Sequence, residues 1–432
     1  MASKMDILVV GAGYVGLATA VYLATKGFKV TIVEKNHATV DTLNKGKLHF
    51  HEPELARKLN RAVNAGNLRT VLPSKNIYQK AKLIFIAIDS VDMVDWKMRL
   101  SVFEHIANLI GETKHRTPPT VVLKSTNIVG FADNFRRLLD KTEYGTGIRL
   151  VVNPEFLREG LAYEDTAKPW RIIIGSKRKQ DATRLLNVYR QIYPKNIPIV
   201  QTDLKSAELI KLASNVYLAY RLAFIHEIAD FARTEKLDLD SIKRGISMDN
   251  RIGTDYFTPG LGFGGSCLPK DCRLINSTES DSDFTFETAL TALSINDRLL
   301  EHLVVDLKYR LGSLRGKKIA IFGAAFKPEI DDTRGSQAVK LTTHLRRARA
   351  RVSIYEPFLK QTEKIIRDNI PLVNHPDDAL KGASVLIIGS AHSQFRKLKP
   401  TYIATLMKKR LVLDYFGILN RKTWEKAGFE IV

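Results

Sequence analysis

The stretch "DILVVGAGYVGLATAVYLATKGFKVTIVEK", residues 6–35, runs from a short β-branched strand through three glycines into a helical pattern and on to a second strand. In that setting each glycine has a task. Gly11 permits the tight turn, Gly13 lets a pyrophosphate approach the backbone at the helix N-terminus, and Gly16 lets helix and strand pack closely. Tyr14 and Val15 lie between the last two glycines, within the cofactor turn. Glu34 follows the second strand, 23 residues after Gly11, where a carboxylate accepts hydrogen bonds from adenosine ribose hydroxyls. A carboxylate there repels a 2′-phosphate, so NAD is expected in preference to NADP, although Lys35 beside it leaves dual use open.

Working outward, the runs "DILVV", "KVTIVE", "LIFIAI", "TVVLKS", "LVVNP" and "RIIIG" alternate with helical stretches, predicting a parallel, doubly wound sheet over residues 1–200. From Thr202 or Asp203 as N-cap, apolar residues at three- and four-residue spacing through "KSAELIKLASNVYLAYRLAFIHEIADFART" predict one long helix. Its apolar positions exceed one face, as suits a helix that joins domains or pairs with a second subunit. A loop-rich section near 249–280 and a helix near 284–312 precede "KKIAIFGAAFK", "RVSIYEP", "SVLIIGS" and "RLVLDYFG", a second strand-turn-helix series. The fold expected is α/β: a Rossmann-like domain over 1–200, a helical middle over 201–312 and a second, smaller Rossmann-like domain over 313–432, with ligands in a cleft at the carboxyl ends of the strands.

Composition narrows the class. The 432 residues suffice for two or three domains with well-buried cores. The two cysteines, Cys267 and Cys272, make no disulfide framework, and no Cys/His spacing suits zinc, so no metal and a reducing cytoplasm are expected. No window is apolar enough for a membrane span. The net charge of +21 attracts anions in general, but the basic runs "KRKQ", "RRARAR" and "MKKR" lack interleaved aromatics or a DNA-binding motif, which points to a solvated surface and away from nucleic acid.

Both cysteines fall in "GFGGSCLPKDC", residues 262–272. Glycines 260, 262, 264 and 265 free the backbone to wrap a ligand, Lys270 favours a thiolate at Cys267, and Asp271 is placed to hold or deprotonate a water. With a dinucleotide site in the same chain, such a thiol suits oxidation beyond an alcohol: it adds to an aldehyde, passes through a thiohemiacetal and thioester, and is freed by hydrolysis. That chemistry needs donors for developing oxyanions. Lys211 and Asn215, four apart on one helix face, are the candidates. Cys272 has no role and is expected to be a small core residue.

These motifs, with "LKST", "NPEFLREG", "SAELIKLASNVYLA", "DNRIG" and "FGAAFKPEIDDTRGS", resemble the nucleotide-sugar dehydrogenases of the UDP-glucose/GDP-mannose dehydrogenase family over essentially the whole chain. The resemblance implies oxidation of a sugar C6 alcohol to a carboxylate with two NAD per turnover. It implies that Cys267 is the nucleophile, Lys211 and Asn215 the oxyanion donors, Asp271 the water-activating carboxylate, and Thr126 and Glu155 the water-positioning and acid/base residues. It places Glu155, Phe156, Leu157, Arg158 and Glu159 along the sugar nucleotide, with Glu159, Thr126 and Lys270 also near the cofactor. Tyr256, Phe257, Thr258, Pro259, Gly260 and Gly264 would cover the nucleotide. Lys327 would touch substrate, Arg334 would reach the cofactor, and Arg251 would cross from a second subunit of a homodimer.

Four segments depart from the family pattern. "AIDSVDMVDW" (87–96) stands where relatives have Gly-Thr-Pro, "STNIVG" lacks the usual proline, and "GSAHSQF" replaces a tryptophan-containing segment. "LDYFGILN" puts Phe416 at an arginine position, which predicts a missing polar contact. UDP-glucose is the first expected substrate and GDP-mannose the rival, while Ser266 disfavours the N-acetylhexosamine members. The reading from a different class, a non-catalytic polyanion-binding protein, conflicts with the retention of Lys211, Asn215, Cys267 and Asp271 together.

Overall fold

The computed structural model describes residues 6–92, 97–277, 284–359 and 371–432. Two compact units emerge from its internal contacts, one running to Ser214 and taking in Leu274–Phe284, the other comprising Asn215–Arg273 and Thr285–Val432. The chain passes from one to the other inside a single helix.

In the first unit eight strands, β1 (Asp6–Val10), β2 (Lys29–Val33), β3 (Leu68–Val71), β4 (Leu83–Ile86), β5 (Thr120–Leu123), β6 (Arg149–Val152), β7 (Ile172–Ser176) and β8 (Ile199–Thr202), form one sheet. Their order is 3-2-1-4-5-6-7-8. The central strands β4 and β5 are buried at every position, which is why they read as unbroken apolar runs. Helix α1 (Tyr14–Thr25) packs on the neighbouring strands β1, β2 and β3, its buried face running from Gly16 to Ala24. One departure from an all-parallel sheet occurs: β7 runs antiparallel to β6. The connection between them holds only the six-residue helix Ala162–Ala167, too short for the crossover that a parallel neighbour requires.

The second unit carries a six-stranded, wholly parallel sheet of β9 (Lys318–Phe322), β10 (Arg351–Tyr355), β11 (Leu372–Val373), β12 (Val385–Ile388), β13 (Leu411–Leu413) and β14 (Glu430–Ile431), ordered 11-10-9-12-13-14. Both sheets thus place their first strand between the second and fourth, the arrangement of a doubly wound nucleotide-binding fold. The four strands absent from the sequence reading, β3, β8, β11 and β14, are the four sheet edges. They are either two residues long or carry exposed polar residues such as Arg69 and Gln201, so no apolar run announces them.

Helix α2 (Leu204–Thr234) is the predicted long helix, and Asp203 caps it: its Oδ1 accepts the Ser206 N–H at 2.9 Å. Helix α3 (Leu268–Leu274), helix α4 (Glu287–Leu311) and helix α5 (Gln337–Arg347) complete the elements that matter for the site. The basic run 346–351 closes α5 and enters β10, and Lys308 and Arg310 close α4. Cations at helix C-termini complement the partial negative charge there, which explains part of the positive excess without a polyanionic partner. No described helix is long and apolar enough to cross a membrane.

Candidate active site

The turn after β1 is built for a phosphate. Gly11 has φ +105°, and a Cβ there would lie 2.3 Å from the Ala87 carbonyl oxygen; one on Gly16 would lie 2.1 Å from the Gly11 carbonyl oxygen. At Gly13, which occupies the N-cap of α1, nothing comes within 4 Å of a Cβ, and the first turn carries no acidic residue. That open space in front of a positive helix end fits a pyrophosphate. Glu34 follows β2, its Oε1 accepting the Asn36 N–H at 2.9 Å and its Oε2 that of Ala12 at 3.3 Å. Its carboxylate is thereby aimed across the glycine turn, where a ribose would lie. Tyr14 stacks on Phe50 with ring centroids 4.1 Å apart, while Lys35 is exposed.

The second unit repeats this device. Glu356, just after β10, accepts N–H bonds from Ala324 and Ala325 in the turn after β9, at 2.7 and 3.0 Å. Here the carboxylate is buried and covered by His392, whose Nε2 lies 3.2 Å away, so this copy of the turn holds no ribose in the manner of Glu34. His392 belongs to the departing "GSAHSQF" segment, which is accounted for by this pair.

Within the first unit, Lys211 on α2 and Glu155 form a buried ion pair, Nζ to Oε1 3.0 Å, with side chains 4% and 8% exposed. Glu155 Oε2 accepts the Leu157 N–H at 2.8 Å, and Phe156 lies under the Arg171 guanidinium, 4.0 Å from ring centroid to Cζ. Arg158 is held by Asp165 through a two-pronged contact at 2.9 and 2.7 Å. Glu159 is buried. Thr126 is half-buried, and its carbonyl oxygen accepts the Ser90 hydroxyl. Sequence reasoning passed over Lys124, the neighbour of this segment, whose ammonium is buried beside Asn153. The available signal was a lysine directly after the apolar run Val121–Leu123.

Within the second unit, Asn215 Nδ2 donates to Asp271 Oδ2 at 2.6 Å, both buried. Lys270 Nζ lies 2.7 Å from the other carboxylate oxygen, an electrostatic contact outside hydrogen-bond geometry. Cys267 immediately precedes α3, and its carbonyl accepts the Asp271 N–H at 2.9 Å. The thiol is partly accessible at a helix end that favours a thiolate. Cys272 is fully buried on the same helix, and burial first, then the charge of Asp271, pushes its thiol up to about 12.

The glycine loop before Cys267 is clamped by residues that carry no motif. Asn296 of α4 accepts the Phe263 N–H at 2.7 Å and donates to its carbonyl at 3.0 Å, and Gln337 of α5 donates to the same carbonyl at 2.8 Å. A Cβ on Gly264 or Gly265 would collide with the Gly335 carbonyl oxygen at 2.5 Å or the Phe326 ring at 2.6 Å. Arg334 contributes its carbonyl, 3.1 Å from the Gly265 nitrogen, while its guanidinium is tied to Asp332. Lys327 is half-buried. Phe416 takes up the space beside Gly260, where a Cβ would come within 2.4 Å of its ring; an aromatic lid contact stands where the family arginine was expected. Tyr256 adopts φ +55° at the start of this cover, Phe257, Pro259 and Gly260 are buried and Thr258 exposed. Arg251 is exposed and paired with Asp249 at 2.6 Å. Of the departing loop 87–96, residues 93–96 lie outside the described residues.

Three family models cover the chain: the NAD-binding domain of the UDP-glucose/GDP-mannose dehydrogenase family over residues 5–193, its central domain over 205–298, and its UDP-binding domain over 320–421. A UDP-glucose 6-dehydrogenase of Rhizobium meliloti is 34% identical over 98% of both chains. This chain belongs to the UDP-glucose/GDP-mannose dehydrogenase family. A Bacillus subtilis UDP-glucose 6-dehydrogenase is 32% identical to it over 95% of this chain and 93% of the relative. Among solved structures, a UDP-glucose dehydrogenase from Pyrobaculum islandicum superposes with a TM-score of 0.89 at 31% identity, covering 98% and 96% of the two chains. A UDP-D-ManNAc dehydrogenase from Pyrococcus horikoshii, 24% identical and covering 99% and 98%, shares the fold with a TM-score of 0.87. For this nucleotide-sugar dehydrogenase, the glycine turn, Glu34 and the open space at Gly13 fit the nicotinamide dinucleotide that the first domain of the family binds.

Proposed function

We propose that this dehydrogenase oxidises the C6 alcohol of UDP-glucose to UDP-glucuronate, a four-electron reaction that consumes two NAD. The observation that carries the reading is the buried Asn215–Asp271 pair one turn beyond Cys267, because a carboxylate and amide are costly to bury without a task. NAD, when bound by the turn at Gly11, Gly13 and Gly16 with Glu34 on its ribose, accepts a hydride in each oxidation. Lys211 and Asn215, on successive turns of α2, donate to the oxygen that becomes negative. Cys267 Sγ adds to the C6 aldehyde to give a thiohemiacetal, whose oxidation leaves a thioester. Asp271 then takes a proton from water, positioned with Thr126 and Glu155, as that water attacks the thioester; the C–S bond breaks, the thiol is regenerated and the carboxylate leaves. Residues 155–159, 256–260, Gly264 and Lys327 hold the sugar nucleotide, and Glu159, Lys270 and Arg334 serve the cofactor side. The division into segments 1–200, 201–312 and 313–432 matches these tasks: cofactor, catalytic helix and thiol loop, and nucleotide.

Purified protein is expected to form two NADH per UDP-glucose and little or none with GDP-mannose or the UDP-N-acetylhexosamines. Faster NADH formation with GDP-mannose would move the substrate assignment, and silence with every sugar nucleotide would end the enzyme reading. Turnover with NADP should be slower, since Glu34 repels a 2′-phosphate.

We further infer a homodimer in the cytoplasm. Tyr217, Phe224 and Phe231 recur every seven residues along α2, with Tyr220 between them, and all four are exposed. Such a stripe is a coiled-coil-like seam for a second copy, and exposed Arg251 is available to it. Sedimentation should give a dimer, and Phe224→Asp with Phe231→Asp should give monomers. A wild-type monomer at micromolar concentration would refute the seam.

A further inference from the structure

Lys124 follows the last residue of β5 and is 9% exposed. Its Nζ donates to Asn153 Oδ1 at 3.1 Å. The same oxygen accepts the Tyr189 hydroxyl at 2.5 Å, and Asn153 Nδ2 donates to the Ile173 carbonyl at 2.8 Å. Asn153 is thus locked with its oxygen toward the ammonium. Asn153, whose N–H donates to the Leu123 carbonyl at 2.9 Å, stands two residues before Glu155, the ion partner of Lys211 at 3.0 Å, and Lys124 interacts electrostatically with both charges of that pair. Two ammonium groups and one carboxylate therefore share one buried cluster. A norleucine-shaped apolar side chain would fill the same volume without losing hydration, so retention of the amine calls for a role beyond packing.

We propose that Lys124 is a positioning residue: its ammonium, held by Asn153 two residues before Glu155, offsets the Glu155 carboxylate, so that Lys211 presents an uncancelled ammonium to the developing oxyanion. This inference rests on the reaction proposed above. Burial pulls Lys124 from 10.5 down to about 8, against the opposing pull of Glu155 and with the help of Lys211. Tyr189 also faces it, through the shared Asn153 oxygen. Lys124 therefore carries its charge below about pH 8 and sheds it above.

A lysine lowered from 10.5 to about 8 costs stability in full below pH 8 and progressively less as pH rises toward 10.5. Wild type, Lys124→Met and Lys124→Arg should be compared for kcat, KM and thermal midpoint from pH 6.5 to 9.5. Lys124→Met is expected to lower kcat about 10- to 100-fold at pH 7 with KM nearly unchanged. That deficit should shrink above pH 8, as wild type loses the same charge, while Lys124→Arg keeps most of the rate and extends it to higher pH. The midpoint of Lys124→Met should equal or exceed wild type at pH 7, and the gap should narrow with rising pH. A kcat ratio that stays constant across pH, or a Lys124→Met protein that loses stability and keeps its rate, would overturn the proposal. Should wild type oxidise no sugar nucleotide, the reaction assignment fails instead, and the midpoint comparison, which needs no substrate, still overturns the charged-cluster role if the gap does not depend on pH.

Discussion

Cys267→Ser protein is expected to make UDP-glucuronate at least about a thousandfold more slowly than wild type, because a serine hydroxyl is far less acidic than a thiol and a far weaker nucleophile at neutral pH. The loss should fall on the second half of the reaction. In the proposed reaction, oxidation to the aldehyde calls on Lys211 and Asn215 but on no nucleophile, so a slow first-stage NADH signal with aldehyde trapped by an amine is the expected signature. Cys272→Ala provides the internal control. Its thiol is fully buried and pushed up to about 12, so it contributes no thiolate at neutral pH, and the variant should keep turnover within about twofold at a stability cost of roughly 1 kcal/mol. Alkylation at pH 7.5 should modify one thiol in wild type and in Cys272→Ala, and none in Cys267→Ser. Carboxylate formation near the wild-type rate by Cys267→Ser would remove Cys267 from the mechanism.

Lys211→Ala should produce two separable effects. The first is on folding: Glu155, 8% exposed, would lose an ion partner at 3.0 Å, and breaking a buried pair from one side costs about 3–5 kcal/mol. The Leu157 N–H and nearby Lys124 soften that, so the lower end is expected. The second is on catalysis: loss of an oxyanion donor lowers kcat roughly 100- to 1000-fold, while KM for the sugar nucleotide changes little, because the donor acts on charge that develops after binding. Adding Glu155→Gln should restore much of the stability by removing the orphaned charge and should leave kcat low. Urea denaturation and steady-state kinetics on the three proteins read both effects. A single variant with the wild-type rate would show that Lys211 merely neutralises Glu155.

The features legible in the sequence are those where one residue type is dictated by local geometry. Gly11 and Gly16 are demanded by carbonyl oxygens that would strike a Cβ, and the central strands are apolar throughout because both faces are covered. What escaped reading is held by contacts remote in the chain. Asn296 and Gln337 clamp Phe263 from 33 and 74 residues away, and nothing around either marks a partner. The antiparallel β7 follows from a short connection whose length is ambiguous in sequence. At Phe416 the sequence predicts the loss of a polar contact; in three dimensions the residue forms an aromatic wall against Gly260.

That clamp has a practical consequence for domain exchange. The glycine loop, α4, α5 and Phe416 all belong to the unit that begins at Asn215, in the middle of α2. A chimera joined near residue 312, at the visible start of the second sheet, would separate Phe263 and Gly265 from Gln337 and Arg334 and Gly260 from Phe416. Transplanting sugar preference from a relative therefore calls for a junction within the long helix, so that thiol loop and nucleotide domain travel as one cassette.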